Sequence, residues 1–405
     1  MRCDMQRRTS VRAVFRSGTA PRLHRRQPLM EPHPPLGILH VVNSLDYGGL
    51  ERVVCDLALQ QHADGHRVRV FSICDTGGFR ETLESAGVPV SVGGKRRTLD
   101  LHVLRALRQA VTAHGIDILH THNFVPNYYA ATAMLGARHR HAIVNSCHNM
   151  GTRLSNARLR GLYRLSLRRT ARVAMVGEQV HGRFTGDGLV DPDRAVTVRN
   201  GIPVARFSSD DARRRAARAQ LGIAEDAPVI GSVGRLVGLK NHHLLIACMP
   251  AVLAAYPAAR LVLVGDGPLL AELRAYAQSL AVSGQVVFAG AHDDVAGLLP
   301  ALDIFALPSR TEGLSIAVLE ACAAQRAVVA TAVGGNPEII EDGVTGRLFA
   351  SEDQPRLCAL LLELLGDPPQ RQRLGEAARD WALANASVEA MAGRYREVYA
   401  AALAR

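Results

Sequence analysis

A chain of 405 residues is long for one domain and has room for two or three of ordinary size. Apolar residues make up 48% of it and aromatics only 4%, so its cores must be built from Leu, Val, Ala and Ile. No apolar run approaches the ~20 residues that span a bilayer, which excludes a membrane-spanning chain and leaves a soluble protein or one resting on a membrane surface.

Much of the net charge of +11 sits in the first 36 residues, where Arg2, Arg7, Arg8, Arg12, Arg16, Arg22, Arg25 and Arg26 face only Asp4 and Glu31. Residues 1–35 read as a disordered basic arm, or as residues upstream of the true start with Met30 as candidate initiator. A polyelectrolyte-binding role for the arm is the lesser reading. The apolar core that a secretory signal places after its basic residues is missing there. The seven cysteines are scattered without a CxxC, which reads as reduced cytosolic thiols and not as a zinc site.

From Leu36 short β-branched runs alternate with helical patterns. Strands are predicted over Leu36–Leu45, Arg67–Cys74, Val88–Val92, Asp117–His122, Ala142–Cys147 and Arg172–Val176, with helices from Leu50 and over Leu99–His114. The rhythm restarts after Gly201-Ile202-Pro203 and a polar stretch holding Arg213–Arg215. Strands are predicted at Val229–Val233, Arg260–Val264, Val286–Phe288, Asp303–Ala306 and Ala327–Thr331, with helices over Asn241–Tyr256 and Leu269–Ala281. A last helix, Val388–Ala404, lies beyond the second sheet and is free to cross back onto the first lobe. The expected organisation is a Rossmann-like domain over 36–200, a second Rossmann-like domain over 201–387 and a terminal helix over 388–405. In such α/β folds ligands bind outside the carboxyl ends of the strands, here in a central cleft.

The segment Ser309-Arg-Thr-Glu-Gly-Leu-Ser-Ile-Ala-Val-Leu-Glu320 follows a strand and opens a helix near Ser315. The free N–H groups at such a helix start suit a pyrophosphate. Glu312, ahead of the helix, would reach sugar hydroxyls, and Glu320, one to two turns in, would grip ribose hydroxyls. This Glu-x7-Glu arrangement resembles glycosyltransferase family 4, and the resemblance runs from about Leu36 to the end. It implies a GT-B fold and a retaining transfer from a UDP- or GDP-sugar to a glycan or polyprenyl-linked acceptor.

Gly231-Ser-Val-Gly-Arg235-Leu-Val-Gly-Leu-Lys240-Asn241 looks like the family's Gly-Arg-Leu…Lys segment. Two cations beside a helix start would neutralise the donor diphosphate and the charge that grows on it. Asp46-Tyr-Gly-Gly-Leu-Glu51 is similar to the family's Gly-Gly-x-Glu loop, in which Gly48 and Gly49 let backbone approach the donor phosphate or the acceptor. A tight turn would use the same glycines. His148, ending Ile143-Val-Asn-Ser-Cys-His148, resembles the family histidine at the donor sugar. Asn200-Gly201 resembles the family's hinge, and Gly334-Gly-Asn-Pro-Glu338 a loop whose acid supports the cleft. Gly265-Asp-Gly-Pro268 is a strand-end turn near the base. Gly234, Gly267, Gly313, Leu314, Ser315 and Asn200 complete the expected donor contacts. The Leu314-Ser315 pair departs from the family's Glu-Gly-Phe-Gly.

His120 and His122 stand at alternate positions of one strand and so share a face. No third ligand is evident, so an acceptor-site or structural role is expected of them instead of a metal. Asp293-Asp294 reads as a helix cap, no Asp-x-Asp presents itself at a strand end, and a metal-independent enzyme without cofactor follows. Arg153, Arg158, Arg160, Arg164, Arg168, Arg169 and Arg172, interleaved with leucines, read as a basic helix. It either rests on an anionic membrane on the acceptor lobe or is solvated while its leucines pack on the sheet. Ile38-Leu-His-Val-Val-Asn-Ser-Leu45 with the Gly-Gly-Leu-Glu loop also resembles transferases of bacterial exopolysaccharide and exosortase-type systems. A cytoplasmic enzyme, peripheral on the inner membrane, is the expectation. Two other readings stand beside it: a GT-B-fold nucleotide-sugar epimerase, and a basic nucleic-acid-binding protein, against which the folded part offers no helix-turn-helix or zinc module.

Overall fold

The opening strand β1 (Gly37–Val42) is buried at every position, as a strand in the middle of a parallel sheet must be. The computed structural model describes residues 34–404 apart from 76, 98, 138–140, 149–155 and 208–209. The proposed arm, Cys3 and Arg153 therefore lie outside the described residues. From β1 the chain runs through α1 (Gly49–Ala63), β2 (Arg67–Ser72), α2 (Arg80–Ser85), β3 (Val90–Val92), α3 (Leu101–Ala113), β4 (Ile118–His122), α4 (Phe124–Ala133), β5 (Ala142–Cys147), α5 (Ala157–Leu167), β6 (Arg172–Met175), α6 (Glu178–Gly186) and β7 (Ala195–Thr197). These strands form one parallel sheet in the order β3-β2-β1-β4-β5-β6-β7.

After α7 (Asp211–Gln220) the pattern repeats as β8 (Val229–Val233), α8 (His242–Ala255), β9 (Arg260–Val264), α9 (Leu270–Ser279), β10 (Val286–Gly290), α10 (Val295–Leu298), β11 (Ile304–Leu307), α11 (Ile316–Ala323), β12 (Ala327–Thr331), α12 (Asn336–Ile339) and β13 (Arg347–Phe349). The second parallel sheet has the order β10-β9-β8-β11-β12-β13. The helices α13 (Gln354–Gly366), α14 (Pro368–Asn385) and α15 (Val388–Leu403) close the chain. The order reverses between β1 and β4 and again between β8 and β11. Those two switch points open crevices at the strand ends, where ligands bind in doubly wound sheets. The two-Rossmann architecture expected from the sequence is the one observed, with most strands starting and ending within two residues of expectation.

Each sheet is covered on both faces. On the first, Leu39, Val41, Leu119, Ile143, Cys147 and Met175 join a core with α3, α4 and α5. The opposite face, period two along the same strands, carries Ile38, Ile118, Val144 and Ala174 and packs toward α15 through Tyr395, Val398 and Tyr399. On the second, Leu261, Leu263, Ile304 and Val329 pack on α8 and α13.

Some elements departed from expectation. The polar stretch at Arg213–Arg215 lies inside α7, which starts with the Asp210 side chain accepting the Arg213 N–H. The helix docks through its cations: Arg218 is 1% exposed and donates to Asp303 Oδ2 at 3.0 Å, while Arg214 donates to Asp303 Oδ1 at 2.7 Å. The polarity there serves a part-buried ion pair with Asp303. α13 and α14 were not anticipated, although Asp353 and Asp367 cap them and a Pro stands in the first turn of each.

The chain crosses between the lobes twice, and the crossings lie side by side. Ile202 N–H donates to Ala386 O at 2.9 Å and Val388 N–H to Ile202 O at 3.0 Å. A Cβ at Gly201 would sit 2.3 Å from Ser387 O, so no larger residue fits without moving backbone. The second crossing delivers α15 onto α1 and β5 of the first lobe. No helix among the described residues is long and apolar enough to cross a membrane. Cys55, Cys74, Cys147, Cys248, Cys322 and Cys358 are free thiols.

Candidate active site

The loops after β8 and β9 are built against each other. A Cβ at Gly265 would lie 2.1 Å from Gly234 O, and one at Gly267 would lie 2.5 Å from Leu236 O. Only glycine lets these turns stack, and Leu236 N–H then donates to Asp266 O at 2.9 Å. The stack leaves Arg235 exposed at the lip. Five residues on, Lys240 Nζ donates to Glu312 Oε1 at 2.6 Å, and the Ser309 hydroxyl donates to the same oxygen at 2.6 Å. The two residues that the sequence placed on separate loops are thus a single ion pair, half-withdrawn from water. Gly313 and Leu314 are buried behind it, and Gly335 N–H donates to Gly313 O at 2.6 Å.

Ser315 caps α11, as expected, its Oγ accepting from Val318 N–H at 3.4 Å. α1 opens from Gly48 with Gly49 as its first residue. An ideal Cβ on Gly49 would stand 3.7 Å from the Ile316 side chain, the first residue of α11. The N-termini of two helices from different lobes therefore meet, and their partial positive ends add at one place. Lys240 reaches the turn before the second of them through Glu312, and Arg235 acts on Glu51 at the start of the first.

Two acids stand in this field. Glu51, at the start of α1, is pushed up to about 7 by burial, with Arg235 pulling it down and Asp46 pushing it up. Glu320 is 7% exposed on α11 and is also pushed up to about 7 by burial. Arg52 and Arg206 draw it down, and Asp56 opposes them. Arg52 donates to Asp56 Oδ2 at 2.9 Å and lies 5.5 Å from the Phe79 ring centroid. The sequence did not single out Arg52, Asp56 or Arg206, because only the closing of α1 onto α11 brings them to Glu320.

In the first lobe His148 follows β5 and is 7% exposed. Its N–H donates to Asn123 Oδ1 at 2.8 Å, and Asn123 holds φ 67° at the turn after β4. Burial holds the imidazole down at about 4, so it is neutral at pH 7. Of the two roles expected for its neighbours, acceptor-site or structural, the geometry supports the structural one. His120 is fully buried, with Nδ1 on Tyr399 OH and Nε2 on Ser146 Oγ, both at 2.7 Å, so it has no nitrogen left for an acceptor. His122 is 2% exposed and is likewise an interior group.

A third histidine does exist. His40 pairs in register with His120 across β1 and β4, and the three offer nitrogens within 4.8 Å of one another, the one such group among the described residues. They are engaged with one another and with their neighbours. Every ring nitrogen of the three already holds a hydrogen-bond partner, and the His120 and His122 rings stack at 4.3 Å, tilted by 33°, instead of converging on a point.

The remaining expected residues are spread. Asn200 is buried in the first crossover. Glu338 reaches the other lobe, accepting the Glu178 and Gln179 N–H groups at the start of α6, both at 3.1 Å, with Arg199 Nε at 3.6 Å. It supports the cleft as a clasp between lobes. Asp294 occupies the cap position of α10 but makes no cap bond; its carboxylate lies 3.3 Å from Arg206. The basic helix is α5. Arg158 and Arg168 are exposed, while Arg164 donates to Gly188 O at 2.6 Å and Arg169 to Met134 O at 3.2 Å. Its leucines do not all pack on the sheet: Leu162 is 41% and Leu165 57% exposed, beside Leu135 at 55%.

Residues 47–206 match the family described as Glycosyltransferase Family 4, and residues 213–381 match Glycosyl transferases group 1. The chain belongs to glycosyltransferase family 4. A family relative in Corynebacterium glutamicum, a GDP-mannose-dependent monoacylated alpha-(1-6)-phosphatidylinositol monomannoside mannosyltransferase, is 38% identical over 209 residues, 49% of this chain and 54% of that protein. The chain thus spans about half the length of that relative, and 50% of a Mycolicibacterium smegmatis counterpart. The N-acetyl-alpha-D-glucosaminyl L-malate synthase of Bacillus anthracis is 26% identical over 74% of this chain and 78% of that one. Among solved structures, Anabaena HepE in complex with UDP-glucose superposes with a TM-score of 0.81 at 23% identity, over 90% of this chain and 99% of that one. That likeness shows the GT-B fold. Neither the epimerase nor the nucleic-acid-binding reading finds support among these relatives.

Proposed function

We propose that this family 4 protein is a retaining glycosyltransferase that moves a sugar from a UDP- or GDP-sugar to a glycan or lipid-linked acceptor in bacterial surface or exopolysaccharide biosynthesis. The observation that carries the reading is the meeting of the α1 and α11 N-termini at Gly49 and Ile316, beside Arg235 and the Lys240–Glu312 pair. That is a site for a diphosphate. Two helix ends and two cations supply the charge that a metal would otherwise bring, so transfer is expected without one. The named substrates of the relatives, GDP-mannose and phosphatidylinositol mannosides, are of the proposed donor and acceptor classes.

In the proposed reaction the bond between the sugar C1 and the β-phosphate oxygen breaks as the acceptor oxygen bonds to C1 from the same face. The acceptor proton passes to the departing phosphate oxygen, and Arg235 and Lys240 hold the growing negative charge. Glu312 is engaged by Lys240 and Ser309, which suits an orienting acceptor for sugar hydroxyls and not a free nucleophile. Purified protein given a panel of UDP- and GDP-sugars with polyprenyl-linked sugar in vesicles is expected to transfer label to the lipid with EDTA present. Conversion of the donor to another nucleotide sugar without acceptor, or no binding of any nucleoside diphosphate by calorimetry, would overturn the reading.

The acceptor lobe also carries a groove of about 280 Å³ whose lining includes Tyr128, Leu135, Leu162, Leu165, Arg168 and Arg169. Exposed leucines among arginines suit an anionic lipid surface. Sedimentation with phosphatidylglycerol-rich vesicles, but not with phosphatidylcholine vesicles, is the expected result. The Arg158→Ser, Arg168→Ser double variant should weaken it by about thirtyfold, from ~1 kcal/mol per arginine. Equal sedimentation of variant and wild type would remove the membrane from the proposal.

A further inference from the structure

His148 is the end of an unbroken path of buried hydrogen bonds that begins on the last helix of the chain. Tyr399 OH, on α15, accepts from Gln61 Nε2 of α1 at 3.0 Å. Gln61 Oε1 meets His40 Nε2 at 2.8 Å, His40 Nδ1 meets His122 Nε2 at 3.0 Å, and His122 Nδ1 meets His148 Nε2 at 3.4 Å. A second limb runs from Tyr399 OH to His120 Nδ1 at 2.7 Å, from His120 Nε2 to Ser146 Oγ at 2.7 Å, and from Ser146 Oγ to Tyr395 OH at 2.6 Å. Burial pushes His40 and His148 down to about 4 and His120 and His122 well below the ordinary histidine range, so all four rings are neutral at pH 7. A neutral imidazole has one N–H and one lone pair.

That rule gives the path a direction. The Gln61 carbonyl oxygen can only accept, so His40 carries its proton on Nε2 and accepts at Nδ1. His122 must then donate from Nε2 and accept at Nδ1, which makes His148 donate from Nε2. Its lone pair is left on Nδ1. The second limb runs consistently: the Tyr399 hydroxyl, having accepted from Gln61, donates to His120 Nδ1, and His120 donates from Nε2 to Ser146. One amide, held by a tyrosine from α15, sets the orientation of the whole chain.

We infer that Gln61 and Tyr399 are positioning residues that fix His148 as its Nε2–H tautomer and present the Nδ1 lone pair as a hydrogen-bond acceptor for a sugar hydroxyl. The inference rests on the reading above that His148 faces the transferred sugar. No contact of Gln61 or Tyr399 with substrate is needed; they act through His40 and His122.

The test is ¹⁵N-detected histidine NMR on the full chain, with the His148 resonances assigned by difference from His148→Gln. Wild type is expected to show His148 protonated at Nε2, and Gln61→Leu a mixture of tautomers with kcat lowered about tenfold or more and donor KM unchanged. Gln61→Glu keeps an acceptor toward His40 and should keep the wild-type tautomer. A wild-type His148 protonated at Nδ1, or a Gln61→Leu protein whose His148 signature does not move, would overturn the inference. The wild-type spectrum decides the direction alone, even where a variant fails to fold. It also requires no donor, so a protein that shows the tautomer but transfers no sugar would leave the relay standing and count against the transferase reading.

Discussion

Replacing Lys240 with alanine is expected to lower kcat by about 10²–10³-fold, the cost of one preorganised charge at a developing anion. Lys240 Nζ lies 2.6 Å from Glu312 Oε1, so the substitution removes two things at once. The leaving diphosphate loses a cation, and Glu312 keeps only the Ser309 hydroxyl to orient it. Donor binding should fall less than turnover, because both helix N-termini still meet the diphosphate in the ground state. Lys240→Arg restores charge with a different shape and should recover part of kcat. Single-turnover rates at saturating donor check this. An alanine variant within about threefold of wild type would leave the cation without a role in the transition state.

Glu320→Gln is expected to stabilise the empty protein above neutral pH while weakening donor binding. Burial raises the Glu320 carboxyl from 4.5 to about 7. A raised folded-state value means the native state is relatively favoured while the group is protonated, below its unfolded value. That advantage is lost as pH rises through about 7. A shift of that size corresponds to roughly 3 kcal/mol at alkaline pH, with the pull of Arg52 and Arg206 and the push of Asp56 already contained in it. Glutamine carries no such penalty. The variant's Tm should therefore exceed wild type by several degrees near pH 8 and match it near pH 4. Nucleoside diphosphate affinity should fall by about tenfold, the worth of a charge-assisted bond to ribose. Melting curves at the two pH values, paired with calorimetry, separate the effects. A variant less stable than wild type at pH 8 would mean that Glu320 is held by Arg52 more strongly than it is penalised by burial.

The parts of the site that the sequence displayed are the local ones. Glu312, Ser315 and Glu320 are one strand–turn–helix unit, and Gly234, Arg235 and Lys240 another; such units are fixed by residues a few positions apart. The alternation of His120 and His122 correctly placed them on one face, but alternation says nothing of what covers that face. The cover is α15, more than 250 residues downstream, and its Tyr399 makes His120 an interior group, the structural one of the two expected roles. Arg52, Asp56 and Gln61 escaped for the same reason. They lie on one helix at ordinary amphipathic spacing, and their partners come from β1, α11 and α15. α7 was not read as a helix, since its docking rests on arginines that meet Asp303 about 85 residues downstream.

The crossing of α15 onto the first lobe also orders events during synthesis. The strands and helices of the first sheet are complete by Thr197, yet the face that carries His40, His120 and Ser146 has only the part of its cover that α1 supplies until Val388–Leu403 leaves the ribosome. At about 5–20 residues per second that is a wait of roughly 10–40 seconds, with the part of that face destined for α15 open to water. A chain ending early at the second crossover is expected to yield a lobe that has every strand and no finished interior.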